Sequence, residues 1–483
     1  MVNYGVSQAC LTCKKRRIKC DEQKPNCRRC IKSKRTCLGY KENADILFRD
    51  YKSCGLEGSV DYSKPPLQAS TASDFPPNLD GNADTAALKS FFQDYVLVSK
   101  DRSLSRGYFD GLESLLNSAS PSEELISAAK IVAHASAASK TGTLDLVSST
   151  DKYSNALAAF QKMLDNPEKR NADEALMTAV LLGLYEMIVA AELYPSAHNL
   201  HLKGVSAILC TRKVPFDLLD LAGANLFELF NPLLPARSAA KGSIPGLLSP
   251  YPCSETDPPM KSLDVLLIKS RPVLERASQI LSDPKATKVD LRTLKQDASL
   301  LNKEYSLWPL CQPKEWLPRT LGVIQDEDQF NGGSLSEKLF WPGNVDSYFD
   351  LYVSAVWNTY RKARLKLLHV IARSSERINP SELTNRKLEA EMQELVDDMC
   401  ASVPFHLVAD LPSALHKPSD MIPPGKALGG LFLMYTMYIA SSLPMVPSKQ
   451  RFWMRGRLRW IGTRMGIRQA SMLADVGFKF IFC

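Results

Sequence analysis

Beyond its first 50 residues the chain has no excess charge of either sign. Residues 51–483 hold 47 Lys/Arg and 47 Asp/Glu, so the whole-chain charge of +8 resides in the N-terminal segment. A diffusely basic protein is thereby excluded. The opening residues MVNYGVSQAC lack the basic-then-apolar layout of a secretory leader. The cysteines are therefore expected in a reducing compartment, where metal binding ranks ahead of a disulfide framework. No long apolar run is clean enough for a bilayer. Between Lys426 and Lys449 only Ala427–Leu443 is largely apolar, 17 residues with Thr436, Ser441 and Ser442 inside it. It reads as a buried core helix, and no membrane is expected among the partners. The usual catalytic constellations are missing too: there is no Gly-rich phosphate loop, no G-x-S-x-G elbow and no H-E-x-x-H. No enzyme is expected. His198 and His201 form an H-x2-H pair without further ligands nearby, and read as packing or capping residues. Cys54, Cys210, Cys253, Cys311, Cys400 and Cys483 are isolated and read as core or surface thiols.

What is present is concentrated at the N-terminus. Residues 1–50 carry 13 Lys/Arg against 5 Asp/Glu, and six of the 12 cysteines fall between positions 10 and 37. A basic head on a neutral body points to a polyanion as the head's partner. The cysteines are Cys10, Cys13, Cys20, Cys27, Cys30 and Cys37, a C-x2-C-x6-C unit repeated after six residues. A C-x2-C step lets two thiolates grip one metal at a helix start, and the third cysteine returns one short helix later. A structural zinc takes four ligands. Two zincs would need eight contacts from six sulfurs, so two thiolates would each touch both metals. One zinc on four cysteines with two spare thiols is the alternative, and it leaves the repeat unexplained.

Residues 9–40, ACLTCKKRRIKCDEQKPNCRRCIKSKRTCLGY, resemble the fungal binuclear zinc-cluster (Zn2Cys6) DNA-binding domain in all six ligands, their spacings and the Lys24–Pro25 step. The resemblance implies two Zn2+ per chain, bridged by Cys10 and Cys27. Cys13 and Cys20 would complete one site, and Cys30 and Cys37 the other. Pro25 would set the turn between the halves. The segment between Cys13 and Cys20 would be a helix meeting the major groove end-on over a CGG-type triplet. Arg16 and Arg17 match the family's base-contacting positions. Arg17 stands where lysine is often found, and its planar fork still suits guanine O6 and N7. Lys14, Lys15, Lys19, Arg28, Arg29, Lys32, Lys34 and Arg35 are assigned to phosphates. Ile18 is assigned to packing between the helices. The KKRR run at 14–17 also reads as an import signal, compatible with a nuclear location.

After the head, the ILFRD patch with Ile46, Leu47 and Phe48 resembles a segment that follows the cluster in one subset of the family. Residues 52–85 are rich in Ser, Gly, Pro, Asp and Asn and read as a flexible connector. No a/d heptad is visible between 41 and 85. The homodimer that the resemblance implies therefore has no coiled-coil element there. From Ala86 helical periodicity dominates. Leu88, Phe91, Phe92, Tyr95 and Val96 share one face. Asp173–Ala191, with Asp173 as N-cap, reads as a central core helix. Other helices are expected near 108–118, 122–139, 150–164, 198–210, 262–281, 286–305, 346–376, 383–401, 427–443 and 452–475, and no strand of useful length. The class is all-α. Pieces of this body, RGYFDGLESLL (106–116) and NADEALMTAVLLGLYE (171–186) among them, resemble the fungal-specific transcription factor domain. The organisation expected is residues 1–40 as DNA-binding domain, 41–85 as linker, 86–475 as regulatory domain and 476–483 as a tail without assigned role. By resemblance this is a nuclear transcription factor for RNA polymerase II genes, with double-stranded GC-containing DNA and the transcription machinery as partners. A metabolite-sensing body, or an enzyme fused to a zinc module, are the alternatives.

Overall fold

The computed structural model describes residues 10, 12–13, 20–21, 23, 27–33, 35 and 37, then 82–166, 173–189, 263–325, 335, 338–379, 386–416 and 422–475. Contacts divide the chain into two units, Met1–Ser73 and Asp74–Cys483.

In the first unit the described core consists of Cys10, Cys13, Cys27 and Cys30, all buried, with Cys20 and Cys37 half-buried against them. A short helix, α1 (Arg28–Lys32), starts on the Cys27 side chain, which accepts the Cys30 N–H as an N-cap. Its remaining side chains face outward, and Ile31 is 60% exposed. Among the described residues of this unit, no buried apolar side chain other than cysteine contributes to the core.

The second unit is an array of helices. The first is α2 (Asn82–Tyr95), which begins inside the segment read as connector. Its face buries Leu88, Phe91, Tyr95 and Val96. The stretch expected as a helix over 108–118 is helical only as α3 (Leu112–Leu116), because Tyr108 instead pairs with Leu97 in a two-residue bridge. Next come α4 (Glu123–Thr141), capped by the Ser122 hydroxyl, α5 (Leu146–Asp165) and α6 (Asp173–Val189). Asp173 lies within the first turn of α6 rather than outside it as a cap. Fourteen of the 17 residues of α6 are buried. The charge it carries in its second half, Glu186, accepts a hydrogen bond from the Tyr153 hydroxyl at 2.6 Å.

The middle of the body is α7 (Leu263–Ser282), α8 (Lys288–Leu307), α9 (Leu351–Ile378) and α10 (Arg386–Leu407). A capping box between Thr287 and Asp290 starts α8. Helix α9 starts at the Asp350 cap, whose carboxylate accepts the Val353 N–H at 2.9 Å. That is later than the expected 346, because Gly343–Ser347 is a strand. It pairs antiparallel with Arg319–Ile324, giving a two-stranded ribbon that periodicity does not reveal. None of the six residues of the Arg319–Ile324 strand is buried, four being exposed and two half-buried, so no apolar alternation marks it. Beside the apolar core, α9 carries buried polar contacts. The Ser354 hydroxyl lies 2.8 Å from His406 Nε2, Asn358 bonds Ser402, and Arg361 donates to the Tyr348 hydroxyl.

The body closes on α12 (Ala427–Ser442), which follows the one-turn α11 (Leu411–Ala414). Fifteen of its 16 residues are buried, because it packs against α2, α9, α10 and the helix that follows it. An all-round apolar helix has no face left for water. Its approach to α10 requires glycine: a Cβ on Gly429 would stand 1.8 Å from the His406 carbonyl oxygen. No helix among the described residues is long and apolar enough to cross a membrane. The single helix expected over 452–475 is two, α13 (Ser448–Arg464) and α14 (Arg468–Asp475). Gly466 between them has φ +75°, a left-handed conformation that ends a helix. The helix expected near 198–210 and the tail 476–483 lie outside the described residues.

Candidate metal centre and nucleic-acid interface

The local geometry around the cysteines repeats with the sequence. In each half the second cysteine of the C-x2-C step donates its N–H to the first sulfur, Cys13 to Cys10 at 3.4 Å and Cys30 to Cys27 at 3.3 Å. In each half the first cysteine donates its N–H to the last sulfur, Cys10 to Cys20 at 3.4 Å and Cys27 to Cys37 at 3.5 Å. Backbone N–H groups aimed at sulfur favour the thiolate form. A backbone bond also joins the halves: the Arg28 N–H donates to Asp21 Oδ2 at 2.9 Å. Asp21 was not among the expected site residues. Its signal was that only Asp21 and Glu22 are acidic within residues 1–40, among 11 cations.

The sulfurs form two groups of four. Cys10, Cys13, Cys20 and Cys27 make one, and Cys10, Cys27, Cys30 and Cys37 the other, with sulfurs in each group within 4.8 Å of one another. Cys10 and Cys27 belong to both. Four sulfurs around a tetrahedral zinc at about 2.3 Å would stand about 3.8 Å apart. The separations here are 3.6 Å for Cys10–Cys27, 3.8 Å for Cys10–Cys30 and 3.7 Å for Cys13–Cys27. All six are free thiols, and these distances are far from a disulfide bond length of about 2 Å. The donor set fits zinc, and the cluster is capable of binding two zinc ions. Burial pushes the Cys10, Cys13 and Cys27 thiols up, Cys27 to about 12. Metal-free, these sulfurs stay protonated at neutral pH, so a cation must displace their protons.

Of the residues expected at DNA, Arg28, Arg29 and Lys32 lie on α1 and are exposed, as is Arg35. None of the four has an acidic side-chain partner among the described residues, which leaves their charge for a polyanion. Lys14, Lys15, Arg16, Arg17, Lys19 and Lys34 lie outside the described residues, as do His198, His201, Cys54, Cys210, Cys253 and Cys483. Cys400 is buried, with its thiol pushed up by that burial, and Cys311 is half-buried.

The body holds a groove of about 670 Å³ along α4 and α5. Ile126, Ile131 and Leu144 supply apolar wall, and Asp84 of α2 stands at its rim. Asp84 accepts from His134 Nε2 at 2.7 Å and pairs with Lys130 at 2.9 Å. The His134 bond first, then Lys130, holds the Asp84 carboxyl below its usual value.

Residues 8–45 match the fungal Zn(2)-Cys(6) binuclear cluster domain. A transcription factor of Emericella nidulans, dbaG, is 36% identical over 401 residues, 82% of this chain and 92% of its own. A span of that length includes most of the body. White-opaque regulator 2 of Candida albicans is 67% identical over 33 residues, 7% of each chain. The transcription activator AMTR1 of Alternaria alternata is 43% identical over 59 residues, 12% of this chain and 7% of its own. No solved structure matches the chain.

Proposed function

The chain belongs to the fungal Zn(2)-Cys(6) binuclear-cluster transcription factors, and from that membership we propose that it is a nuclear, sequence-specific regulator of RNA polymerase II genes that reads CGG-type elements. Zinc-dependent DNA binding is the activity of the family; the residue roles are this chain's own. Cys10 and Cys27 bridge two zinc ions, Cys13 and Cys20 complete one site, and Cys30 and Cys37 complete the other. The observation that carries this reading is the pair of four-sulfur groups that share those two cysteines. The metal sites hold the two halves of the head in one orientation and keep the basic side chains outside. Arg16 and Arg17 contact guanine edges, while Lys14, Lys15, Lys19, Arg28, Arg29, Lys32, Lys34 and Arg35 contact phosphates. The body is not an enzyme but a helical regulatory domain that engages the transcription machinery, as supported by relatives named for transcription.

Selection of bound duplexes from a random pool by the zinc-loaded chain tests the base preference. Enrichment of CGG triplets is expected, and a pool without a shared G-containing triplet would overturn it. Paired triplets at fixed spacing would mark a homodimer, single triplets a monomer. A metabolite-sensing body is the second reading, and the groove along α4 and α5 favours it. Ligand-dependent thermal stabilisation of the body is its test.

A further inference from the structure

The body's zero net charge conceals a segregation. From Met421 to Ala474 the chain runs 54 residues without Asp or Glu and with eight Lys/Arg, leaving the rest of residues 51–483 with 47 acids against 39 cations. Six of the eight cations fall on α13, SKQRFWMRGRLRWIGTR. Trp453, Met454, Leu458 and Ile461 bury one side of this helix, with the Trp453 indole N–H donating to the Lys338 carbonyl at 2.9 Å. The other side is a stripe at spacings of three and four: Lys449, Phe452, Arg455, Arg459 and Thr463. Arg455 is half-buried, and the rest of the stripe is exposed, as is Arg464 beside it. Phe452 is 49% exposed in the middle of these cations.

We infer that this face of α13 docks an acidic peptide segment of a partner protein, one that carries apolar side chains among its carboxylates. Two observations choose that occupant over a nucleic acid backbone. Arg459 already holds a carboxylate, with Nε at 3.2 Å and Nη2 at 2.8 Å from Asp475 Oδ1, so the stripe already accepts one. That pair is open to solvent, its side chains 48% and 67% exposed, and a competing carboxylate can reach it. Phe452 also offers an apolar aromatic side chain that apolar residues of a peptide can cover and a sugar-phosphate backbone cannot. Cations that steer an acidic chain and an aromatic side chain that anchors it are the two parts of a selective interface. The surface lies in the second unit, Asp74–Cys483.

The probe is a fluorescein-labelled synthetic peptide that alternates Glu with Leu and Phe, titrated into the full-length zinc-loaded chain. A duplex saturates the head beforehand, so that its cations cannot compete for the peptide. Binding by the wild type is expected. The double variant Arg455→Glu/Arg464→Glu should weaken it by about tenfold or more, and Phe452→Ala by about fivefold. Should the double variant melt early, Arg455→Gln is read in its place. No binding by the wild type, or equal binding by the variants, would overturn the inference. So would a double variant that keeps the peptide but loses affinity for a non-specific duplex, since that result assigns the face to nucleic acid.

Discussion

The head draws its described core from cysteines alone, whereas the body buries side chains from every long helix and encloses Trp308, Trp316 and Trp453 completely. A segment of about 40 residues cannot bury enough apolar surface to fold on burial alone. In the head, metal–sulfur bonds take the place that leucine, tryptophan and phenylalanine fill in the body. The consequence is that the two units answer to different perturbations, and each can be broken without the other.

Removing zinc is the largest such break. Structural zinc contributes roughly 10–16 kcal/mol to small metal-dependent domains. A chelator should therefore abolish DNA binding and the head's amide protection while leaving the body's thermal transition in place. Because burial holds the free thiols protonated, zinc affinity should also fall as pH falls. The reverse experiment is Gly429→Ala, which forces a methyl onto the His406 carbonyl. It should cost the body about 3 kcal/mol or more, read by urea melting, with zinc content unchanged.

Within the head the contrast is between reading and holding. Arg17→Ala should cost about 1–3 kcal/mol on the selected sequence and relax base preference. Lys32→Ala should weaken all sequences alike, with a shallower salt dependence. Competition binding against a scrambled duplex separates the two.

A further contrast lies in the body's response to acid. Burial pushes His406 down to about 3 and His369 to about 4, from an ordinary 6.5. Below pH 6.5 the unfolded chain takes up protons that the folded body refuses, so stability is full above that value. It is lost as pH falls toward 4, at about 1.4 kcal/mol per pH unit for each histidine. His406→Gln should reduce this slope in urea melts, and a chelator should not change it.

The same contrast governs what was legible beforehand. The six cysteines announce themselves because ligand spacing is local chemistry, written within 28 residues from Cys10 to Cys37. The face of α2 and the buried α6 and α12 were legible because apolar periodicity and its saturation reflect burial directly. What periodicity does not encode went unseen. The ribbon of Arg319–Ile324 with Gly343–Ser347 alternates no apolar face, and Gly466 splits α13 from α14 through a backbone angle rather than a change in pattern. The polar seam of Ser354, Asn358, Arg361 and His406 depends on α10 arriving from elsewhere in the chain. The basic face of α13 disappeared into a body whose charges sum to zero.

Metal counting on the purified chain tests the shared-sulfur centre most directly. Native mass spectrometry should find two zinc ions on the wild type. Cys37→Ser, which removes a ligand from one site, should keep about one, and Cys27→Ser, which removes a ligand from both, should keep fewer. One zinc on the wild type, or equal losses from Cys27→Ser and Cys37→Ser, would contradict it.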